Sequence, residues 1–272
     1  MSQVTEINVD LEWDDDHVFP AKIYPDVAFL MRRMNEVTVA EAGVDDGQMV
    51  LDIGCGRAID AIALAKRGGK CLGLEPSRKM IDHAKNRVAD SGLEVSLIQG
   101  IGECLPFKTG SLDKVICKGS LDHFPHPAKA IEEMARVLKP QGEAIIVVAN
   151  FESLGFRLGK FLLTLRKSLP GGNKEHNEKL WQIPPDHSYK FDYPFLRRLV
   201  EPHLKVDRST GVSLLFGLPR WSSLLARLPE SLSLAILKTL DGLARHLAPL
   251  SDAIVLKCSP GIDPGADKKS IS

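Results

Sequence analysis

Hydrophobic positions in this chain fall into short unbroken runs and helical stripes, and glycine or proline separates most of them. Val50, Leu51 and Ile53 form a continuous apolar run, the pattern of a strand buried on both faces. Gly54, Cys55 and Gly56 come next, and residues 58–66 then take helical spacing through Ile59, Ile62 and Ala63. A second apolar run over 71–74 ends in Glu75. Strand, glycine turn, helix, strand and acid make the first half of a nucleotide-binding βαβ unit. The glycines let backbone approach a ligand closely, and the acid accepts hydrogen bonds from ribose hydroxyls.

The same alternation extends in both directions. Pro25 opens a helix carrying Val27, Leu30, Met31, Met34 and Val37 to about Ala42, with Gly43 to stop it. Pro76 and Ser77 start a helix through about Asp90 that Gly92 ends, and a third strand spans 95–99. The pattern then predicts a strand over 112–117, a helix over 128–138 ended by Pro140 and Gly142, and a strand over 143–149. A helix over 194–201 and strands within 206–215 and over 252–258 complete the series. The expected fold is α/β, a doubly wound sheet with helical insertions.

Two apolar stretches interrupt that order. Residues 150–190 carry the stripe Leu154, Leu158, Phe161, Leu162 and Leu165, flanked by Arg157, Lys160, Arg166 and Lys167. Residues 219–250 are leucine-rich, and both stretches are expected near the carboxyl ends of the strands, capping an acceptor pocket. The division expected is an acidic extension over 1–20, one domain over 21–258 with insertions at about 150–190 and 219–250, and a disordered tail over 259–272.

Composition narrows the function. The 272 residues hold 35 Lys plus Arg against 35 Asp plus Glu, so no global field draws nucleic acid. Five cysteines form no CxxC pair, which reads as reduced thiols in a cytoplasmic protein. His123 and His126 form HxxH without a third ligand, so no metal site is expected. The acidic start has no signal-peptide pattern, and no apolar run approaches the length of a membrane span.

The glycine turn separates cofactor classes. A dinucleotide site wants a small residue where Ile59 stands, and a phosphate-cradling loop would need Gly-Lys-Ser/Thr. LDIGCGRAIDAIALA followed by GLEPSRKMIDHAKNR resembles the cofactor half of class I S-adenosylmethionine-dependent methyltransferases of the small-molecule kind. GECLPFKTGSLDKVICKGSLDHFPHPAKAIEEMARVLKPQGEAIIV is similar to the same family's second half, and the two blocks together cover 49–149. The resemblance implies a Rossmann-like, mostly parallel seven-stranded sheet with its last strand antiparallel, and S-adenosyl-L-methionine as cofactor. It implies cofactor contacts at Asp52, Gly54, Cys55, Gly56, Glu75, Pro76, Gly102, Glu103 and Lys118. It also implies an N-terminal helix across the cofactor site, so that Tyr24 could close over the methionine end. Ile101 stands where the family usually carries an acid for the adenine amino group, leaving the Gly102 backbone and the Glu103 side chain to reach the base.

The residues after the fourth strand bear on the acceptor. Family members that methylate planar amino groups usually place Asn/Asp-Pro-Pro-aromatic there, whereas this chain has Lys118, Gly119, Ser120, Leu121, Asp122 and His123. That favours a hydroxyl, carboxyl, amine or carbon acceptor on a small molecule. Methyl transfer from a sulfonium is an in-line displacement in which the protein positions the acceptor and removes a proton. His123 is the first candidate base, with Asp122 beside it, although helix capping explains Asp122 equally well. His187, at the proline-rich end of the first insertion, is the second. The function expected is methylation of a small, apolar or lipid-like molecule. The alternative is a cofactor-binding protein without transferase activity, its leucine-rich insertions serving as a partner or membrane surface. A weak membrane-surface contact at the first insertion is compatible with either.

Overall fold

A computed structural model describes residues 9–15, 22–167 and 188–261 of the 272. These residues form a seven-stranded sheet in the order β3-β2-β1-β4-β5-β7-β6. The strands are β1 Met49–Ile53, β2 Lys70–Glu75, β3 Val95–Gln99, β4 Leu112–Lys118, β5 Leu138–Ala149, β6 Leu204–Val212 and β7 Ala253–Pro260. β1 pairs in parallel with β2 and β4, while β7 runs antiparallel to both β5 and β6. This is the mostly parallel sheet with an antiparallel last strand that the resemblance implies.

The helices are α1 Pro25–Ala42, α2 Ile59–Ala65, α3 Arg78–Ser91, α4 Pro127–Val137, α5 Leu154–Lys167, α6 Tyr193–Val200, α7 Trp221–Leu225 and α8 Glu230–Ala244. The two-residue period of the strands divides the core between two faces. Val50, Ile116, Ile145 and Val147 point to one layer and pack on Val37, Ala61 and Ala84 of α1, α2 and α3. Leu51, Val115, Cys117 and Ile146 point to the other and pack on Met134 of α4 and Leu196 of α6. Strands covered on both sides read as unbroken apolar runs, which is why β1 and β5 were legible.

Several boundaries fall elsewhere than the sequence pattern places them. β5 opens directly after α4 at Leu138, five residues before the expected start, and Leu138 pairs with Leu112 before the register shifts at Leu112/Lys114. Pro140 is tolerated there because the irregular stretch of ladder asks no N–H of it. β6 stops at Val212, since Ser213 and Leu215 adopt φ values of 57° and 74°. β7 continues past Cys258, with Ser259 opposite Lys205 and Pro260 opposite Leu204, so the expected tail begins inside the sheet.

The second insertion does not reach the place assigned to it. Leu225 of α7 and Leu237 of α8 bury against Phe29 of α1, forming a small separate core on the outer side of that helix. The first insertion contributes α5, while its residues 168–187, including His187, lie outside the described residues. No helix among the described residues is long and apolar enough to cross a membrane.

Candidate active site

β1 leads to β2 on one side of the sheet and stands beside β4 on the other, so strand order reverses at its carboxyl end. In open α/β sheets that switch point is where ligands bind. A cavity of about 740 Å³ opens there.

Its floor is the turn after β1. Gly54 and Cys55 donate their N–H groups to the Leu74 carbonyl at 2.8 and 3.1 Å, tying the turn to β2. Gly54 has φ 65°, and a Cβ there would stand 2.4 Å from the Ser120 Cβ, so no other residue fits. Gly56 N–H donates to Glu75 Oε2 and Ser77 N–H to Oε1, each at 3.0 Å. Glu75 is thus clamped by two backbone donors at the end of β2. Burial pushes its carboxyl above the usual range, and the two donors oppose that push. Cys55 also lines the cavity, with its thiol pushed up by burial, so it is an inert wall and not a nucleophile.

A charged group lies at one side of the cavity. Lys118 Nζ stands 2.6 Å from Asp60 Oδ2 and also donates to Asn35 Oδ1 of α1. Asp52 sits beside them, its carboxyl pushed up to about 8 first by burial and then by the Asp60 charge, with Lys118 opposing. Asp52 and Asp60 are 3% and 5% exposed. Asp52 Oδ2 and Asp60 Oδ1 have no hydrogen-bond donor among the described residues. Buried carboxylate oxygens without donors are costly. Asp52, Asp60 and Lys118 all line the cavity, so the two oxygens fit a cationic hydrogen-bond donor on a ligand.

The remaining walls come from further loops. Ile101, Gly102 and Glu103 after β3, with Pro76 and Met80, form the side next to Glu75. A Cβ on Gly102 would lie 2.6 Å from the Phe124 ring, so only glycine lets that ring close the wall. Glu103 is 3% exposed, and its Oε1 accepts from the backbone N–H of His126, the residue that precedes α4. One of its oxygens therefore already serves the start of that helix. His126 is a backbone partner here and lines no part of the cavity.

After β4 the chain makes one 3₁₀ turn, Leu121–His123. His123 lines the cavity together with Ser120, Phe124 and Pro125. Asp122 is 4% exposed within the turn and does not line it. Its carbonyl accepts from the N–H groups of Ser188 and Tyr189, which anchors the chain where the first insertion ends. His187 lies outside the described residues, and its neighbour Ser188 is a cavity residue.

Residues that sequence reasoning missed close the mouth. The segment 9–15 lies over the cavity, with Val9, Asp10, Trp13 and Asp15 lining it. Ser77 Oγ donates to the Trp13 carbonyl at 2.5 Å, Arg78 N–H donates to the Leu11 carbonyl at 2.8 Å, and Arg57 holds Asp15 through Nε and a terminal nitrogen. Tyr24 is elsewhere: it lines a separate groove with Pro25, Phe29 and Leu237. The only sequence signal for this closure is an aromatic residue standing alone in an acidic run.

Sheet order, switch-point cavity and glycine turn define a nucleotide-cofactor-binding α/β protein. Residues 50–142 match the methyltransferase domain family. The chain is 36% identical over 99 residues to the uncharacterized methyltransferase YcgJ of Bacillus subtilis (strain 168), covering 36% of this chain and 39% of the relative. It is 29% identical over 153 residues to the ubiquinone biosynthesis O-methyltransferase of Shewanella pealeana (strain ATCC 700345 / ANG-SQ1), covering 54% of this chain and 62% of the relative. The chain thus spans about two fifths to three fifths of these relatives. Among solved structures, a chain of the complex between the Haloferax volcanii Trm112 methyltransferase activator and a methyltransferase superposes with TM-score 0.58 at 19% identity, over 87% of this chain and 94% of that one. Residues 50–142 thus carry a methyltransferase domain.

Proposed function

We propose that this protein transfers a methyl group from S-adenosyl-L-methionine to a small, apolar or lipid-like acceptor. The observation that carries the reading is the pairing, in one cavity, of two donorless buried carboxylate oxygens with an aromatic and imidazole wall facing the sheet edge. Asp52 and Asp60 would take the ligand's ammonium group, and Glu75 would take ribose hydroxyls on the face its two backbone donors leave open. Gly54, Cys55 and Gly56 would pass along the methionine part, and Pro76, Gly102 and Glu103 would border the base. Lys118 holds Asp60 in place and stands where a ligand carboxylate could reach it.

The cofactor, when bound, supplies an activated methyl group on a sulfonium. The chain's own residues exclude water and orient the two reactants. Trp13, Phe124 and Pro125 enclose the space beside His123 with apolar surface, which suits an acceptor with few polar groups. His123 would hold the acceptor and take its proton. Residues 21–258, together with the segment 9–15 over the cavity and the end of β7, would act as one catalytic domain in the cytoplasm, with no nucleic-acid partner.

The test is incubation of the protein and isotopically labelled S-adenosylmethionine with a cell extract, followed by mass spectrometry of small molecules. Label in an apolar metabolite is the expected result. Tight cofactor binding with no labelled product from any extract fraction would instead support a binding protein without transferase activity.

A further inference from the structure

The helix that leaves the sheet beside this cavity has an unusual distribution of side chains. α5 follows β5 after a short turn, at the sheet edge that carries the cavity. Its first turn is fixed: Gly155 and Phe156 are buried, and the Phe156 ring packs 6.0 Å from that of Phe216. Beyond it, Leu158, Phe161, Leu162 and Leu165 are 39%, 64%, 46% and 52% exposed. Their spacing is i, i+3, i+4 and i+7, so they form one apolar stripe along one face. The helix sequence carries four basic residues, Arg157, Lys160, Arg166 and Lys167, and no acidic one. Glu152, just before the helix, stands 2.5 Å from Lys160 and 3.8 Å from Arg157.

We propose that α5 docks this protein on an anionic bilayer surface, so that an apolar acceptor passes from the membrane into the cavity. An apolar stripe on a helix whose other positions hold basic residues and no acid is the pattern of a helix lying in the interface plane, with the stripe at the acyl boundary and the charges toward the headgroups. The charge selects this occupant over a second copy. An isologous dimer through the stripe would bring Arg157 of each copy, on the stripe's flank, beside a partner helix that carries no acid. The chain as a whole is charge-balanced and the residues outside α5 hold an excess of four acids, so the attraction is local to this helix. The route for the acceptor rests on the proposed methyl transfer, whereas the docking surface stands on α5 alone.

The experiment is co-sedimentation of the full chain with phosphatidylcholine vesicles and with vesicles containing about one third phosphatidylglycerol. Binding to the anionic vesicles is expected to exceed binding to the neutral ones and to fall steeply by about 0.5 M salt. Arg157→Gln with Lys160→Gln should lower partition roughly thirtyfold, at about one fifth of the original affinity per charge removed. Phe161→Ala should lower it about tenfold or more on both vesicle types. Circular dichroism and cofactor titration on each variant keep folding and the active site out of the result. Equal recovery with anionic and neutral vesicles, or variants that sediment like wild type, overturns the proposal. So does dimerisation lost in Phe161→Ala without vesicle binding, which would assign the face to a second copy. A chain that binds vesicles but not S-adenosylmethionine would instead overturn the proposed function and leave the docking surface standing.

Discussion

The Trp13 indole lies 5.5 Å from the His123 imidazole with the ring planes at 57°. This contact joins the acidic N-terminal segment to the turn after β4 across the mouth of the cavity. The backbone carbonyls of Leu11 and Trp13 are held by Arg78 and Ser77 at the start of α3. One side of the closure is therefore fastened to the start of α3 beside Glu75 and the other rests on the candidate base.

That arrangement predicts that Trp13→Ala weakens cofactor binding between about two- and tenfold, the range of one aromatic contact beyond its burial. Trp13→Phe should recover most of the loss. Calorimetric titration with S-adenosylhomocysteine checks both, and an unchanged affinity in the alanine variant would remove residues 9–15 from the site.

Glu75 carries a second prediction. Its two oxygens already fix the N–H groups of Gly56 and Ser77. Glu75→Ala should cost about 1.5–3 kcal/mol of cofactor affinity, the worth of a charged acceptor, and should also loosen the turn after β1. Glu75→Gln should not rescue it fully, because its amide would turn a donor toward one of those backbone donors. Wild-type affinity in the alanine variant would sink the assignment, and tight binding of NAD would reverse the cofactor class.

Stability should depend on pH through two buried acids. The Asp52 carboxyl is pushed from 3.8 up to about 8 and that of Asp252 from 3.8 up to about 7, in both cases chiefly by burial. Between those limits the folded chain holds protons that the unfolded chain has released. Their contribution to stability is therefore full below about pH 4 and is lost as pH rises through the folded values. Asp52→Asn cannot lose that proton, so its thermal midpoint relative to wild type should climb from pH 4 to pH 8. Parallel profiles for the two proteins would contradict the burial of an uncompensated carboxyl at this site. A ligand ammonium that pairs with Asp52 should release a proton on binding below pH 8, seen as a binding enthalpy that depends on the buffer.

Much of the fold was legible from period and punctuation. α1 was readable because Pro25 and Gly43 bracket a clean apolar stripe, and β1 with its turn because both faces are covered. The closure by residues 9–15 was not, since two of its bonds run through the main-chain carbonyls of Leu11 and Trp13, which side-chain pattern does not report, and the Arg57–Asp15 pair joins residues far apart in sequence. Nor was the group of Asn35, Asp60 and Lys118, whose members come from three elements and meet only when α1 crosses the sheet edge. The second insertion was misplaced because its leucines fit any apolar surface equally well. Phe29 of α1 provides that surface, away from the cavity.

Proton removal from the acceptor is the step that His123 would carry. A methyl acceptor must sit about 3–3.5 Å from the transferred carbon and in line with the breaking bond. Of the residues named from sequence as candidate bases, His123 lines the cavity and Asp122 does not, while His187 lies outside the described residues. A neutral imidazole has a free nitrogen lone pair and can take a proton from a hydroxyl or ammonium acceptor within hydrogen-bond reach. Positioning alone is enough when the acceptor arrives as a free amine or an anion, and the two cases separate cleanly in the kinetics. If His123 is the base, His123→Ala should bind S-adenosylhomocysteine within a few-fold of wild type and lose roughly 10²–10⁴-fold in turnover. His123→Gln keeps a polar group facing Trp13 but cannot accept the proton near neutrality, so it should be as slow as the alanine variant. A glutamine variant with near wild-type turnover would mean that His123 orients the acceptor and that the proton leaves without it.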